Sequence, residues 1–406
     1  MSETSETNKQ EVKMGICGRR DITIPVEYLT KDNLAQYLST IIGTFNENQA
    51  NIIYLDNIYK GFQDIYNKEK EVRPTINNKV VENHAFEMVE FLKGYMYGKP
   101  VKYAQISENK LIDDIEQLNT YMIDKNKASL DSTMMEWLGK VGVAYYMCLP
   151  KGYEHYTLDI ISSLINRRKI YKPKFNLDKE APFNLYLLDP KCTFTIKSSW
   201  IGNEEIGAGV ITKVSDTEYM LTIYAPHKKF TIPLTSSYAL KEEIIEEETA
   251  IPYIPIVEYK LNASKIGIIE IVKDMLDLLN RITSNQIDDI EQFVNAVMVF
   301  TNQKIDKEEF EELLKLGAIN IKSINPSFPA DVKLLQQTLK QTDVNSYYER
   351  IYNKMMGIVA IPKQSDQAKS GGDTQGARLL GEGWTLADQR ALSYQNIITE
   401  IGRAHV

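Results

Sequence analysis

The stretch IIEIVKDMLDLLNRITSNQIDDIEQFVNAV, residues 268–297, decides the fold prediction. Its apolar residues recur every three or four positions, which predicts one continuous helix of about 30 residues and about 45 Å. Helices of globular proteins average only about 11–12 residues, so the pattern indicates a protruding rod. A step of five residues, between Ile282 and Ile287, indicates a bend or a change of packing partner. The apolar stripe consists of Ile268, Val272, Met275, Leu276, Leu279, Ile282, Ile287, Ile290, Val294 and Val297.

The sequence on either side of this rod predicts a mixed α+β chain with protruding parts. Short runs of β-branched and aromatic residues, separated by turn formers, predict strands in the middle of the chain. The acidic run from Glu242 to Glu248 indicates a solvated loop among them. The expected strands are 185–188, 193–197, 209–214, 218–224, 229–234, 252–259 and 318–324, and the expected further helices are 48–66, 82–95, 110–124, 132–140, 307–315, 330–357 and one that begins near Thr374 or Thr385.

Charge and composition limit the range of functions. The chain has 47 Lys and Arg against 55 Asp and Glu among 406 residues, a formal net charge of −8. Tight phosphate binding needs concentrated Lys and Arg, so the excess of acidic residues disfavours a protein that binds nucleic acid tightly. It allows a surface past which DNA slides. No apolar run reaches the roughly 18 residues of a membrane span, no signal peptide is recognisable, and the three scattered cysteines indicate reduced thiols.

The sequence contains no motif that predicts catalysis, a cofactor or a metal site. The four histidines are isolated, and no Ser or Cys stands in a nucleophile motif. The glycine-rich residues 370–376 lack the Gly-Lys-Ser/Thr ending of a phosphate-binding loop and predict a mobile loop instead. The basic and aromatic residues 167–175 are typical of a solvated turn or of a nucleic-acid contact. We therefore expect a structural protein and not an enzyme.

Three separated segments carry a resemblance to a known family. The first is YKGFQDI at 59–65, with NKVVENHA at 78–85 and GYMYGKPV at 94–101. The second is IPIVEY at 254–259, followed by LDLLN at 276–280, Ser284 and Asp288-Asp289. The third, a looser match, is GDTQGA at 372–377 with Gly383-Trp384. In this order the segments resemble the portal proteins of tailed double-stranded-DNA phages, of the type found in phages of Gram-positive bacteria.

The resemblance implies a portal fold with an α/β wing, long stem helices, a small α/β clip and a truncated crown region. The implied parts are a disordered arm at 1–20, the wing at 21–262, a first stem helix at 263–299, the clip at 300–330, a second stem helix at 331–360, a channel loop at 361–376 and a helix leading to the crown at 377–400. The last six residues, IGRAHV at 401–406, read like a translated sequencing adapter. We interpret them as a foreign tail on an incomplete reading frame, with the crown missing.

The resemblance also implies partners and a location. Portals form a homo-oligomeric ring, typically of about twelve subunits, at one vertex of the capsid. Double-stranded DNA enters and leaves through the ring. The implied protein partners are the terminase large subunit, the major capsid and scaffolding proteins and a head-completion adaptor. We expect a virion protein that is made in the host bacterial cytoplasm, without a membrane, a cofactor or a metal.

Within this framework we expect two sets of residues to face the channel. Asp277, Arg281, Ser284, Asp288 and Asn295 fall on one polar side of the rod, which predicts a wet and weakly repulsive edge. Lys363 and Lys369 lie in the expected channel loop. The alternatives are an ordinary solvent-facing edge on the outside of the stem and a plain surface linker. Two alternatives remain for the whole chain, namely another phage head or adaptor protein and a DNA-packaging enzyme.

Overall fold

The computed structural model describes residues 18–71, 74–104, 112–151, 180–294, 297–302, 325, 331–335, 341–362 and 383–404. The chain divides into two compact units. The first unit comprises Met1–Phe62, Asn83–Lys273 and Met355–Val406, and the second comprises Gln63–Glu82 and Asp274–Lys354. The described residues combine helices and strands, which confirms the predicted α+β class.

The larger sheet of the first unit has six strands in the order β1-β4-β5-β6-β7-β8. All neighbours are antiparallel except β1 and β4, which are parallel. Alternation along the strands puts every second side chain into the core, as for Phe230, Ile232 and Leu234. The strands are β1 Ile22–Ile24, β4 Thr193–Ser198, β5 Glu205–Lys213, β6 Glu218–Ala225, β7 Lys228–Thr235 and β8 Ile245–Glu248.

Helix α1 (Lys31–Tyr59) covers this sheet. Five of its buried residues, from Leu34 to Phe45, join the sheet's core cluster, in which the rings of Phe45 and Phe194 lie 5.1 Å apart. The helix begins 17 residues before the predicted start at 48. Thr30 and Asn33 form a capping box, in which each side chain accepts from the other's backbone N–H. This cap satisfies two N–H groups that a helix start otherwise leaves unpaired.

The first unit contains a second sheet of three antiparallel strands in the order β3-β2-β9. The central strand β2 was not predicted, because its almost continuously buried sequence lacks the alternation of a half-exposed strand. Gly142 (φ +78°) joins β2 to the preceding helix, and a Cβ there would lie 2.4 Å from the Lys265 carbonyl oxygen. The elements are β2 Val143–Pro150, β3 Phe183–Leu188, β9 Ile256–Lys260, α2 His84–Tyr97, α3 Ile112–Asp124 and α4 Lys127–Val141.

The acidic run at 242–248 is in part an edge strand and not only a loop, which corrects the expectation. All four residues of β8 are exposed. Lys228 and Lys229 on β7 bond to Glu246 and Glu247 at 2.5 and 3.2 Å. Charged residues along an edge discourage further strand pairing.

The predicted rod is helix α5 (Ile268–Val294), and it ends before the predicted 299. Val297–Thr301 forms strand β10, antiparallel to β11 (Asp331–Leu335), which was expected to begin the second stem helix. Both segments are rich in apolar residues and fit either element locally. Their pairing joins residues about thirty positions apart, which local periodicity does not reveal.

Two further helices complete the described chain. Helix α6 (Gln341–Ile358) lies within the predicted second stem segment. Helix α7 (Trp384–Ala404) confirms the later of the two predicted starts and runs through residues 401–404, which had been set apart from the fold. The predicted elements at 307–315 and 318–324 lie outside the described residues, as do the basic cluster at 167–175 and the glycine-rich residues 370–376.

Candidate functional site on the long helix

A buried polar stripe runs along helix α5 in the second unit. Asn280, Ser284 and Asp288 stand four residues apart, so they share one face of a helix with 3.6 residues per turn. None of the three is more than 1% exposed. Buried polar groups are costly unless they are hydrogen-bonded, so the partners of this stripe define its role.

The partners are alternate backbone amides of residues 78–82, which run antiparallel to the helix. The N–H of Asn78 donates to Asp288 Oδ1 at 2.7 Å, and that of Val80 donates to Ser284 Oγ at 3.0 Å. The N–H of Glu82 donates to Asn280 Oδ1 at 2.8 Å. Three successive steps of the stripe thus hold three alternate amides.

The two repeats match in length. Two residues of an extended chain span about 6.6 Å, whereas four residues of an α-helix rise about 6.0 Å. The difference of about 0.6 Å per step is small enough for side-chain rotation to absorb over two steps. Polar residues at i, i+4 and i+8 on a helix can therefore bind an extended backbone of almost any sequence.

Asp288 is the charged residue of the stripe and binds four donors. Its Oδ2 accepts from the ammonium groups of Lys68 at 2.8 Å and Lys70 at 3.1 Å, and its Oδ1 accepts from both amide groups of Asn78. Burial alone would raise the pKa of Asp288. The hydrogen bonds from Lys68, Asn78 and Lys70 more than offset it and hold that pKa well below its usual range. The carboxylate is therefore charged throughout the physiological pH range.

Asn280 and Glu82 connect the other end of the segment. The Asn280 side-chain amide donates to Gln63, so both ends of the segment 63–82 meet at this residue. The Glu82 carboxylate accepts from Thr283 on α5 at 3.1 Å and from Tyr348 on α6. The segment thereby contacts both long helices.

These contacts correct part of the expectation for the polar edge. Ser284 and Asp288 were expected on an exposed edge, and both are buried against residues 78–80 of the same chain. Asp277 is half-buried and Arg281 is exposed. Their orientation toward a channel stays a prediction. Asn295, Lys363 and Lys369 lie outside the described residues.

Asn280, Lys68 and Lys70 were not predicted as site residues. The spacing of Asn280, Ser284 and Asp288 was a usable signal, because it places three short polar residues at i, i+4 and i+8 on one face of the helix. The lysines gave no such signal. They belong to the alternating charges of residues 68–71, which are typical of a solvated segment.

The apolar stripe of α5 changes its exposure along the helix. Ile268, Val272, Leu276 and Leu279 are buried. Ile287 and Ile290 continue the same face but are 38% and 45% exposed. On helix α6, Tyr347 is 62% exposed. The described part of the second unit therefore presents large apolar side chains to solvent on both of its long helices.

Two features are absent from the described residues, a metal-binding cluster and a membrane-spanning helix. Among them, no three His, Cys, Asp or Glu side chains are grouped closely enough to hold a metal ion. None of the described helices is both long and apolar enough to cross a membrane.

Comparisons with known proteins identify the family. No curated protein sequence is significantly similar to this chain. Two solved structures show a distant likeness, each at 10% sequence identity. The first is the neck of an empty gene transfer agent particle computed with C6 symmetry, with a TM-score of 0.40 and an alignment that covers 70% of this chain and 69% of that chain. The second is the virion of a native gene transfer agent particle, with a TM-score of 0.37 and an alignment that covers 70% of this chain and 68% of that chain. At TM-scores this low, the likeness supports no conclusion about this chain. The sequence family described as "Phage portal protein, SPP1 Gp6-like" matches residues 38–379 of the 406. The chain therefore belongs to the SPP1 Gp6-like family of phage portal proteins.

Proposed function

We propose that this head–tail connector subunit assembles with further copies of itself into a closed ring, of about twelve subunits, around a channel for double-stranded DNA. The observation that carries the proposal is the apolar stripe of α5, which is buried from Ile268 to Leu279 and exposed at Ile287 and Ile290. Exposed apolar residues that continue a buried stripe are typical of a surface that a neighbouring subunit covers.

The charge of the chain suits a conduit. Each subunit carries a formal net charge of −8, and the ring multiplies this charge by the number of its subunits. Tight phosphate contacts would hold DNA in place, whereas a negative wall repels it toward the channel axis. The negative net charge that disfavours tight binding of nucleic acid therefore suits a protein that passes DNA through its centre.

The remaining assignments follow from the family and are part of the proposal. The ring occupies a capsid vertex in the virion, after synthesis in the bacterial cytoplasm. It contacts the major capsid and scaffolding proteins there and is the docking site first for the terminase large subunit and then for a head-completion adaptor. The wing, stem, clip and channel-loop boundaries given above belong to the same proposal. We propose no catalytic activity for the chain, in keeping with a family of structural proteins.

We propose Asp277 and Arg281 on α5 as channel-facing residues, together with Lys363 and Lys369 in the loop 361–376. Ser284 and Asp288 are excluded from this set because their side chains are buried. Shortening the loop by several residues should impair packaging or DNA retention while rings still form. Normal genome packaging without the loop would contradict its assignment as a channel loop.

Electron microscopy and native mass spectrometry of the purified chain test the ring. The expected result is a closed ring with an open centre and a countable symmetry. Species limited to monomer and dimer would contradict the proposal. The double variant Ile287→Glu/Ile290→Glu should lower assembly strongly, because each ring contact would then bury carboxylates. Ile123→Glu is the matched control, since Ile123 is 81% exposed on helix α3.

A further inference from the structure

The segment 63–82 leaves helix α5 and returns to it at one residue. Gln63 accepts from the Asn280 side-chain amide, and the backbone N–H of Glu82 donates to Asn280 Oδ1 at 2.8 Å. Between these ends, the described arms 63–71 and 74–82 extend along the helix as far as Glu291, which accepts from Asn78 at 2.9 Å. We call these two arms the strap and the contacts at Asn280 its root.

One carboxylate holds the far end of the strap. Four donors from the strap converge on Asp288, namely the ammonium groups of Lys68 and Lys70 and the two amides of Asn78. The first arm supplies the lysines and the second arm supplies Asn78, so both arms depend on the same residue. Between this contact and the root, the backbone N–H of Val80 in the second arm donates to Ser284 Oγ of the helix.

The two arms are also bonded to each other. The Asn77 side-chain amide donates to the Lys68 carbonyl at 3.0 Å, and the Lys70 ammonium donates to the Ile76 carbonyl at 3.2 Å. The Lys79 ammonium donates to the Tyr66 carbonyl at 2.6 Å. None of these bonds involves the helix. A strap that leaves the helix can therefore keep its own shape and move as one piece.

We propose that the strap is a hinged element, rooted at Asn280 and Glu82 and latched to helix α5 by Asp288. Opening of the latch uncovers the buried side chains of Ser284 and Asp288 on the stem helix without unfolding the helix. The device is independent of ring formation, and it operates equally in a free subunit.

The geometry gives a reason why the latch opens before the root. The root holds the strap through Asn280, and through Glu82 to both α5 and α6. In the part of the chain that the structure describes, the far end bonds to α5 through Asp288 and Glu291. Loss of one helix side chain, Asp288, removes four hydrogen bonds at the far end and none at the root. Local opening of the strap is therefore expected to begin at the far end, which is held by fewer independent contacts than the root.

Hydrogen–deuterium exchange on the full chain tests the latch through Asp288→Asn. The expected result is exchange at least about tenfold faster in peptides covering 66–71 and 74–80, because the ionic partners of Lys68 and Lys70 are lost. Exchange in peptides covering 278–284 of the helix should stay within about twofold of wild type, because backbone bonds within the helix are unaffected. The matched control is Asp289→Asn, which removes the same charge from the next, exposed position and should leave both regions unchanged.

A second variant breaks the latch from the strap side, in case Asp288→Asn fails to fold. Lys68→Gln/Lys70→Gln leaves the helix sequence intact and should open the strap in the same peptides. Unchanged exchange in the strap of both variants would overturn the latch. Faster exchange throughout α5 in either folded variant would also overturn the proposal, because Asp288 would then hold the helix itself and not a hinged strap. Neither outcome tests ring formation, which electron microscopy measures separately.

Discussion

Asn78 binds Asp288 twice, with its backbone N–H at 2.7 Å and its side-chain amide at 2.9 Å from the same carboxylate oxygen. The double contact fixes which residue of the segment lies opposite Asp288. A shift of the segment by one residue would move the alternate amides of Val80 and Glu82 away from Ser284 and Asn280. The pair therefore sets the register of an extended chain on a helix.

The middle contact of the stripe can be tested by stability. Ser284→Ala removes the hydroxyl that accepts from the Val80 N–H and leaves that amide without its helix partner. We expect a loss of about 1–2 kcal/mol in the free energy of unfolding, measured by urea titration. Asn285→Ala, on the adjacent exposed position, should change stability by less than about 0.5 kcal/mol. Equal effects of the two variants would show that the hydroxyl adds nothing beyond helix propensity.

A second buried carboxylate lies in the first unit. Asp56 on α1 accepts from Lys60 at 2.7 Å, Lys140 at 2.9 Å and Lys191 at 3.1 Å. The Lys140 ammonium also lies 3.7 Å from the centroid of the Trp137 ring. Burial alone would raise the pKa of Asp56, but the hydrogen bonds from Lys60 and Lys140 outweigh it and lower that pKa to about 2.

This pKa predicts how stability changes with pH. A carboxyl group whose pKa is lower in the folded state stabilises the protein above its unfolded pKa, and the contribution disappears as the pH falls through the folded pKa. Asp56→Asn should therefore cost at least roughly 2 kcal/mol at pH 7, with the difference from wild type shrinking between about pH 4 and pH 2. Thermal unfolding across this range measures it. Asp216→Asn, at an almost fully exposed site paired with Lys213, is the control and should change stability by less than about 0.5 kcal/mol.

An ion pair near the start of the described chain gives a third prediction. Both oxygens of Glu270, in the first turn of α5, accept from Arg19 at 2.9 Å, and the two side chains are 2% and 5% exposed. Removal of Arg19 takes the guanidinium away from a buried carboxylate. Arg19→Met should therefore cost about 3–5 kcal/mol in unfolding free energy. Loss of the exposed Lys31–Glu243 pair through Lys31→Met should cost less than about 1 kcal/mol. A small effect of Arg19→Met would mean that water or the other contacts of Glu270, such as the Gly18 N–H, compensate for the lost guanidinium.

The sequence predicted the elements that have a local signature. Strands β4 to β7 of the larger sheet follow from short runs of β-branched and aromatic residues, as for Lys228–Thr235, and the long helix follows from the spacing of its apolar residues. Strand β10 was missed because Val297–Thr301 pairs with residues about thirty positions later. No local pattern distinguishes such a strand from the last turns of an apolar helix.

The buried polar stripe of α5 was predicted only in part, for a related reason. The four-residue spacing of Ser284 and Asp288 correctly placed them on one polar face of the helix. A polar face is normally solvated, so the sequence favoured exposure. The burial of this face depends on residues 78–82, which lie about 200 positions earlier and have no regular secondary structure. Such long-range contacts are not visible in a single sequence.

The burial of Asp288 also changes how the channel-facing edge must be tested. A lysine at 288 would break the contacts to Lys68 and Lys70, so any effect on DNA would be confounded with loss of the strap. Asp277 is the better position, because it is half-buried and belongs to the proposed channel-facing set. The matched control is Asp289→Lys. Asp289 is exposed, lies about 120° around the helix from Asp277, and undergoes the same change of charge.

If Asp277 faces the channel, Asp277→Lys shifts the charge of the bore by about two dozen units in a ring of about twelve subunits. Positive charges on the wall form ion pairs with phosphates, so DNA passage should slow at low salt and recover as added salt screens the contacts. Packaging rates at about 50 mM and about 200 mM salt measure this difference. Asp289→Lys should package at the wild-type rate at both concentrations. Rings should still form in both variants, because the apolar stripe is unchanged. A wild-type rate for Asp277→Lys at low salt would place this side of the helix outside the channel.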